Sequence, residues 1–220
     1  MTAPTETSVG IPLDNAMHAG DLYMPASGAT GIVLFAHGSG SSRRSPRNRM
    51  VAGALHEKGL ATLLFDLLTE SEDRDYETRF DIELLTRRLV SATDWLGRQQ
   101  RLRELAIGYF GASTGAAAAL RAAAALPDRI HAVVSRGGRP DLAMADLPEV
   151  RAPTLLIVGG ADWQVLELNR QAHARLNAVK SLEVVPNATH LFEEPGALEQ
   201  VALLAGAWFR KYLGKTAAPS

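Results

Sequence analysis

The sequence predicts an α/β fold, a mostly parallel, twisted sheet with helices on both faces. Two observations carry that expectation. The apolar runs GIVLFA at 31–36, LATLLF at 60–65, LAIGYF at 105–110 and TLLIVG at 154–159 have the length of strands and alternate with longer stretches of helical pattern. Strands buried on both faces of a sheet with crossover helices read this way. The runs also give way to Gly, Asp, His or Ser where the chain turns, and in such sheets ligands sit outside the carboxyl ends of the strands.

In chain order, a strand is expected near 18–24, followed by GIVLFA at 31–36 and a helix near 47–58 whose start is delayed by Pro46. The strand at 60–65 ends at Asp66, and a helix near 80–99 precedes the strand at 105–110. The helix near 114–126 is alanine-rich, so its small side chains let it lie close to the sheet, with Arg121 marking its solvent face. Strands near 130–135 and 154–159 follow, then a helix near 165–178, a strand at 181–185 and a last helix near 195–213. Residues 1–7 and 215–220 read as frayed ends, so one domain is expected over 1–220 with an ordered core at about 8–214.

Composition narrows the function classes. The chain is 46% apolar and 21% charged, ordinary for a soluble globular protein. A formal net charge of -1 offers no global attraction to nucleic acid or to an anionic membrane, and neither is expected as a partner. The absence of cysteine excludes disulfides, thiolate metal sites and a cysteine nucleophile, and no metal or cofactor is expected. The start MTAPTETSVG lacks a basic region and an apolar core, and no run approaches the roughly 18 apolar residues of a membrane span, so a cytoplasmic location is expected.

The stretch GYFGASTGAAAAL at 108–120 places Ser113 between Gly111 and Gly115, after a buried strand and before a helix. Gly-x-Ser-x-Gly is weak alone, but at a strand-to-helix turn it has the form of a nucleophile elbow. A serine hydroxyl needs a histidine base and an acid that orients it. His56 and His173 fall in helical patterns, and His18 and His131 fall in or at the start of strands, which leaves His37 and His190 at strand ends. His190 lies in the loop NATHLFEEP after the last strand, and Asp162 in GGADWQV follows the strand 154–159. Asp162 also reads as a helix N-cap. The order Ser113, Asp162, His190, each on a strand-end loop, raises all three together. For an oxyanion hole, the N–H of Thr114 is one donor and the turn HGSGSS supplies the second, from Ser39 or Gly38.

The segments LFAHGSGSSRRSPRNR, FDLLT, GYFGASTGAAAAL, SRGGRPDLA, GGADWQVLELN and NATHLFEEPGALEQV resemble the α/β-hydrolase superfamily, and specifically small proteins related to dienelactone hydrolase, over about residues 9–213. The resemblance implies the α/β-hydrolase fold and assigns nucleophile, acid and base to Ser113, Asp162 and His190. Dienelactone hydrolases carry a cysteine nucleophile where this chain has Ser113, which moves the expectation toward a serine esterase acting on small-molecule esters or lactones. Only residues 136–152 separate the strands that usually flank a cap domain, so no sizeable cap and an open site are expected, favouring small or polar substrates.

His37 is expected to shape the oxyanion turn by hydrogen bonding. With Arg43, Arg136 and Trp163 it is also a candidate to contact substrate, Arg136 being the preferred receptor for a carboxylate. The competing expectation is that the loop arginines at 43, 44, 47 and 49 pair with Asp66 and the acidic stretch TESEDRDYE at 69–77. Two other function classes compete with this reading. GSGSSR at 38–43 with Asp66 imitates a dinucleotide-binding turn but has Arg43 in place of the third glycine, and Pro46 delays the helix. A non-catalytic ligand-binding protein on the same scaffold is the alternative that only an activity measurement separates.

Overall fold

The computed structural model describes residues 3–214. β1 (Thr5–Leu13) and β2 (Ala16–Met24) form an antiparallel hairpin turned at Asp14, whose φ is 50°. β3 (Gly31–Ala36), β4 (Ala61–Phe65), β5 (Ala106–Ala112), β6 (Ile130–Arg136), β7 (Thr154–Gly159) and β8 (Lys180–Val185) are mutually parallel. The eight strands lie in the order β1-β2-β4-β3-β5-β6-β7-β8, with β2 antiparallel to β4. This is the α/β-hydrolase architecture without a large cap: between β6 and β7 run only two short 3-10 turns, Pro140–Ala143 and Leu147–Glu149.

The expected frayed start is corrected by β1, which begins at Thr5. Its residues are mostly exposed and only Ile11 and Leu13 are buried, because β1 is the edge strand of the hairpin. Residues 215–220 lie outside the described range.

Five helices cover the sheet. α1 (Pro46–His56) starts on proline and is capped by the Ser45 hydroxyl, which accepts from the Asn48 N–H. α2 (Ile82–Gly97) is capped by the Asp81 carboxylate on the Leu84 N–H. α3 (Thr114–Ala125), α4 (Trp163–Arg175) and α5 (Ala197–Leu213) follow β5, β7 and β8. Successive side chains of one strand serve opposite cores. Ile32, Leu34 and Ala36 of β3 join α2 and α3, while Val33 and Phe35 join α1 and α5.

The alanines of α3 are buried almost throughout, and Arg121 sits half-buried at its edge, paired with Asp146 at 3.3 Å. Small residues are required because α3 starts directly against the end of β3. A methyl added at Gly115 would lie inside van der Waals contact of the Ala36 and His37 carbonyl oxygens, and one at Gly111 would collide with Ala116. Gly115→Ala is therefore expected to lower stability by about 1–3 kcal/mol, the usual penalty of overpacking. Urea denaturation checks this, and an unchanged midpoint would show that α3 can slide away from β3.

Candidate active site

The carboxyl ends of β5, β7 and β8 bring three polar side chains together. Ser113 occupies the turn from β5 into α3 with φ 51° and ψ -120°, a conformation that non-glycine residues rarely adopt and that surrounding structure must enforce. Its backbone is tied to the loop after β6, its N–H donating to the Arg136 carbonyl at 3.2 Å and its carbonyl accepting from the Arg139 N–H at 3.1 Å. His190 reaches it from the loop after β8, and the Ser113 hydroxyl faces His190 Nε2 at 3.3 Å. The other ring nitrogen, Nδ1, donates to the Asp162 carboxylate at 2.7 Å. A carboxylate only accepts, so this bond fixes the proton on Nδ1 and leaves Nε2 as the acceptor toward Ser113. Asp162 stands at the N-cap position of α4, yet its side chain caps nothing and is given to His190 instead.

The turn after β3 lies against this group. A methyl built on Gly38 would come within 3.1 Å of Ser113 Cβ and of the Ala112 carbonyl oxygen, so the turn approaches closely and a side chain here would require its neighbours to give by a few tenths of an ångström. The Ser39 N–H donates to the Thr114 hydroxyl at 2.9 Å, while the Thr114 N–H belongs to the open first turn of α3. His37 is 4% exposed, donates from Nδ1 to the Gly38 carbonyl at 3.0 Å and accepts at Nε2 from the Leu67 N–H at 2.9 Å. Burial pushes its pKa below the usual imidazole range, against the smaller opposing effect of the Gly38 bond. Both ring nitrogens are thus engaged in holding the turn, and the ring also lines the cavity beside it.

The arginines follow the ion-pair expectation at Arg43 and depart from it at the acidic stretch. Arg43 is committed to Asp66, through its backbone N–H at 2.8 Å and through its guanidinium, with Asp21 at 3.6 Å, and it lines the cavity beside the 38–42 turn. Arg49 pairs with Glu6 and Asp21, and Arg47 with Glu193. The acidic stretch at 69–77 is held by other arginines. Glu72 takes the buried Arg88 in two bonds, Asp73 takes Arg79 and Glu70 takes Arg74. Those bonds to Arg88 hold the Glu72 carboxyl down to about 2. Trp163 is 78% exposed, so it neither covers the core nor lines an enclosed pocket. Arg136 is 7% exposed, and its guanidinium lies over the Phe192 ring at 5.8 Å.

Several residues that fix the site escaped sequence reasoning. Asn169 of α4 is fully buried and donates to the Gly138 carbonyl at 3.0 Å, anchoring the loop that holds Ser113. Arg139 and Asp141 close a two-bond pair at 2.8 Å, for which their spacing in RPD was the available signal. Beside the 38–42 turn opens a 290 Å³ cavity whose lining includes Ser41, Arg44, Thr69, Glu70 and Asp73. Among the described residues no group of three or more His, Asp or Glu side chains is arranged to hold a metal ion, and no helix is long and apolar enough to cross a membrane.

Fold and site geometry together define a protein of the α/β-hydrolase superfamily. Solved structures narrow this. The chain is 57% identical to a dienelactone hydrolase of Anabaena variabilis, covering 96% of this chain and 99% of that one with a TM-score of 0.92. It belongs to the dienelactone hydrolase family. The fold also matches Est1E of Butyrivibrio proteoclasticus at 16% identity, over 94% and 98% of the two chains with a TM-score of 0.81. Among curated proteins it is 60% identical over 195 residues to a Mycobacterium tuberculosis protein provisionally named a phosphoribosyl transferase. That match covers 89% of this chain but only 44% of the relative, so the chain spans less than half of its length. No protein-family model matches the chain.

Burial lowers the pKa of His18 and His37 and brings His56 down to about 4. These rings stay neutral in the folded chain but accept protons once unfolded. Unfolding therefore takes up protons as pH falls below 6.5, and stability is expected to decline from 6.5 toward 4. The urea midpoint should fall across that window, and His56→Gln should make the decline shallower. A flat profile would mean that the rings are protonated in the fold.

Proposed function

We propose that the chain is a serine hydrolase that cleaves carboxylic esters or lactones through an acyl-enzyme, working as a single catalytic domain. The observation that carries this reading is the continuous hydrogen-bond path from Ser113 through His190 to Asp162 across three strand-end loops. In the proposed cycle Ser113 Oγ attacks the ester carbonyl carbon while His190 Nε2 takes its proton. His190 then delivers that proton to the leaving alkoxide as the carbon–oxygen bond breaks. Water, deprotonated by the same nitrogen, attacks the acyl-enzyme and returns the serine. Asp162 holds the ring in the required tautomer and stabilises the imidazolium formed in each half-reaction.

The developing oxyanion is assigned to the Thr114 N–H and to the turn at 38–39. Ser39 is already aligned by the Thr114 hydroxyl, so the oxyanion would share its N–H rather than find it free. Loss of one such donor typically costs about two to three powers of ten in turnover. The short connection between β6 and β7 leaves the site uncapped, and the neighbouring cavity is lined by charged and hydroxyl groups. Small or polar esters fit that surface better than long acyl chains.

Phosphoribosyl transfer is not carried over from the mycobacterial relative, of which this chain spans 44%. The turn at 38–43, the place a glycine-rich phosphate cradle would occupy, is closed by the Ser39 N–H on Thr114 and the Arg43 N–H on Asp66. The same closure disfavours dinucleotide binding.

Intact-protein mass spectrometry after incubation with a fluorophosphonate should show one adduct on the wild type and none on Ser113→Ala. Asp162→Asn should keep the fold and lose roughly three to four powers of ten in turnover, because the wrong tautomer faces Ser113. Absence of an adduct on folded wild-type protein would favour a ligand-binding protein on this scaffold. Turnover retained in Ser113→Ala would remove Ser113 as the nucleophile.

A further inference from the structure

Buried arginines in this protein fall into two kinds. Arg88, 4% exposed, is saturated: Nε donates to Asp14, Nη1 to the Leu67 carbonyl and Glu72, and Nη2 to Glu72. Arg136, 7% exposed, has neither hydrogen bond nor ion pair for its guanidinium among the described residues, and its Nε is fully enclosed. Its guanidinium lies over the Phe192 face. Arg47, from the first turn of α1, also has an enclosed Nε without a partner. Only its Nη1 finds a carboxylate, that of Glu193 at 3.1 Å, and Glu193 is itself 64% exposed.

Both guanidiniums meet the same short segment of the loop, Arg136 over the Phe192 ring and Arg47 on the neighbouring Glu193. Burial first, and the charge of Arg47 second, bring the Arg136 pKa down to about 10, which still leaves it charged at neutral pH. Arg47 is partly exposed and paired with Glu193, but Arg136 is a buried cation without a counter-charge, and a buried ion normally has a partner. The carboxylates of the loop above are turned to other partners, although Glu194 keeps one enclosed oxygen, Oε2, without a hydrogen bond. Glu193 is held by Arg47, and Glu194 accepts from the Thr189 hydroxyl at 2.6 Å.

We propose that Arg136 and Arg47 form a binding site for a small oxyanion, a carboxylate or phosphate group, beneath the loop that carries His190. A guanidinium receives either group through paired N–H donors. Position gives the site its significance. The Arg136 carbonyl accepts the Ser113 N–H, and the following residue, Gly137, packs against His190 and Phe192. An anion here is one strand away from the nucleophile, and it would steady the loop that presents the base. The group can arrive as a substituent of the ester or as a free ion.

Two measurements on wild type, Arg136→Met and Arg47→Gln test this. The first is the thermal midpoint during titration with phosphate or acetate at constant ionic strength. A saturable rise in wild type, weaker in Arg47→Gln and absent in Arg136→Met, is expected. The second compares kcat/KM for two nitrophenyl esters of equal acyl length, one ending in a carboxylate and one in a methyl group. A wild-type preference of about tenfold for the anionic ester, lost in Arg136→Met, is the expectation if the substrate brings the anion. A thermal response without ester preference assigns the site to a free ion, and a preference without thermal response assigns it to the substrate. Either supports the proposal, and neither effect in wild type overturns it. The ester comparison rests on the proposed reading of Ser113, whereas the thermal titration needs no turnover and separates failure of the site from failure of the nucleophile. Should Arg136→Met not fold, the wild-type titration and Arg47→Gln decide alone.

Discussion

The whole carboxyl edge of the sheet depends on one strained residue. Ser113 holds φ at 51° without being glycine, and the fold must over-determine that conformation to keep it. Three elements do so. The loop after β6 grips the serine from both sides through its N–H and its carbonyl, and the first turn of α3 adds the Ala116 N–H on the same carbonyl at 3.1 Å. Gly38 packs on its Cβ from the β3 side, and Gly115 brings α3 close enough to leave no slack. Backbone strain here sets the direction of the hydroxyl. The reach of His190 and the aim of the Thr114 N–H follow from it.

The same economy governs the surrounding loops. Several strand-end loops are tied to other parts of the chain by polar side chains. His37 ties the turn after β3 to Leu67, and Asn169 of α4 holds Gly138 after β6. Arg47 of α1 holds Glu193 after β8. The loop bearing His190 includes two more non-glycine residues at positive φ, Asn187 at 59° and Phe192 at 57°. A bulky aromatic in that region is rare, and Phe192 is 1% exposed, seated against Arg136. The base therefore stands on a loop whose shape depends on a buried aromatic–guanidinium contact, so anything that occupies the Arg136 environment acts on His190 as well.

Much of this was legible in the chain because parallel strands leave clear marks. Continuous apolar runs that stop at Gly, Asp or His locate the strand ends, and from these Ser113, Asp162 and His190 could be placed on one edge before any contact was known. The antiparallel edge was not legible. TETSVGIPL is mostly polar and buries only two residues, so β1 carries no strong apolar signal, although the Asp14–Asn15 turn was there to be read. Side-chain partners were also beyond reach. The pairing of Arg43 with Asp66 was within reach, but nothing in RRSPRNR tells that Arg47 turns to Glu193, or that Arg88 of α2 takes Glu72. Those choices depend on which helix face meets which loop, which only tertiary packing decides.

Ser113 and Asp162 share a further property that argues for chemistry over simple stabilisation. Both stand at N-cap positions, of α3 and α4, and neither side chain caps its helix. A serine or aspartate at such a position ordinarily contributes on the order of 1 kcal/mol by accepting a first-turn N–H. Here both forgo that contribution and turn toward His190. The open first-turn N–H groups that result leave the positive ends of two helix dipoles directed at the same few ångströms of the sheet edge. Under the proposed mechanism each has a use. The end of α4 stands behind the Asp162 carboxylate that supports the imidazolium, and the end of α3 favours the oxyanion that forms beside Thr114. The local stability given up at two caps is thus recovered as electrostatic stabilisation where negative charge must reside.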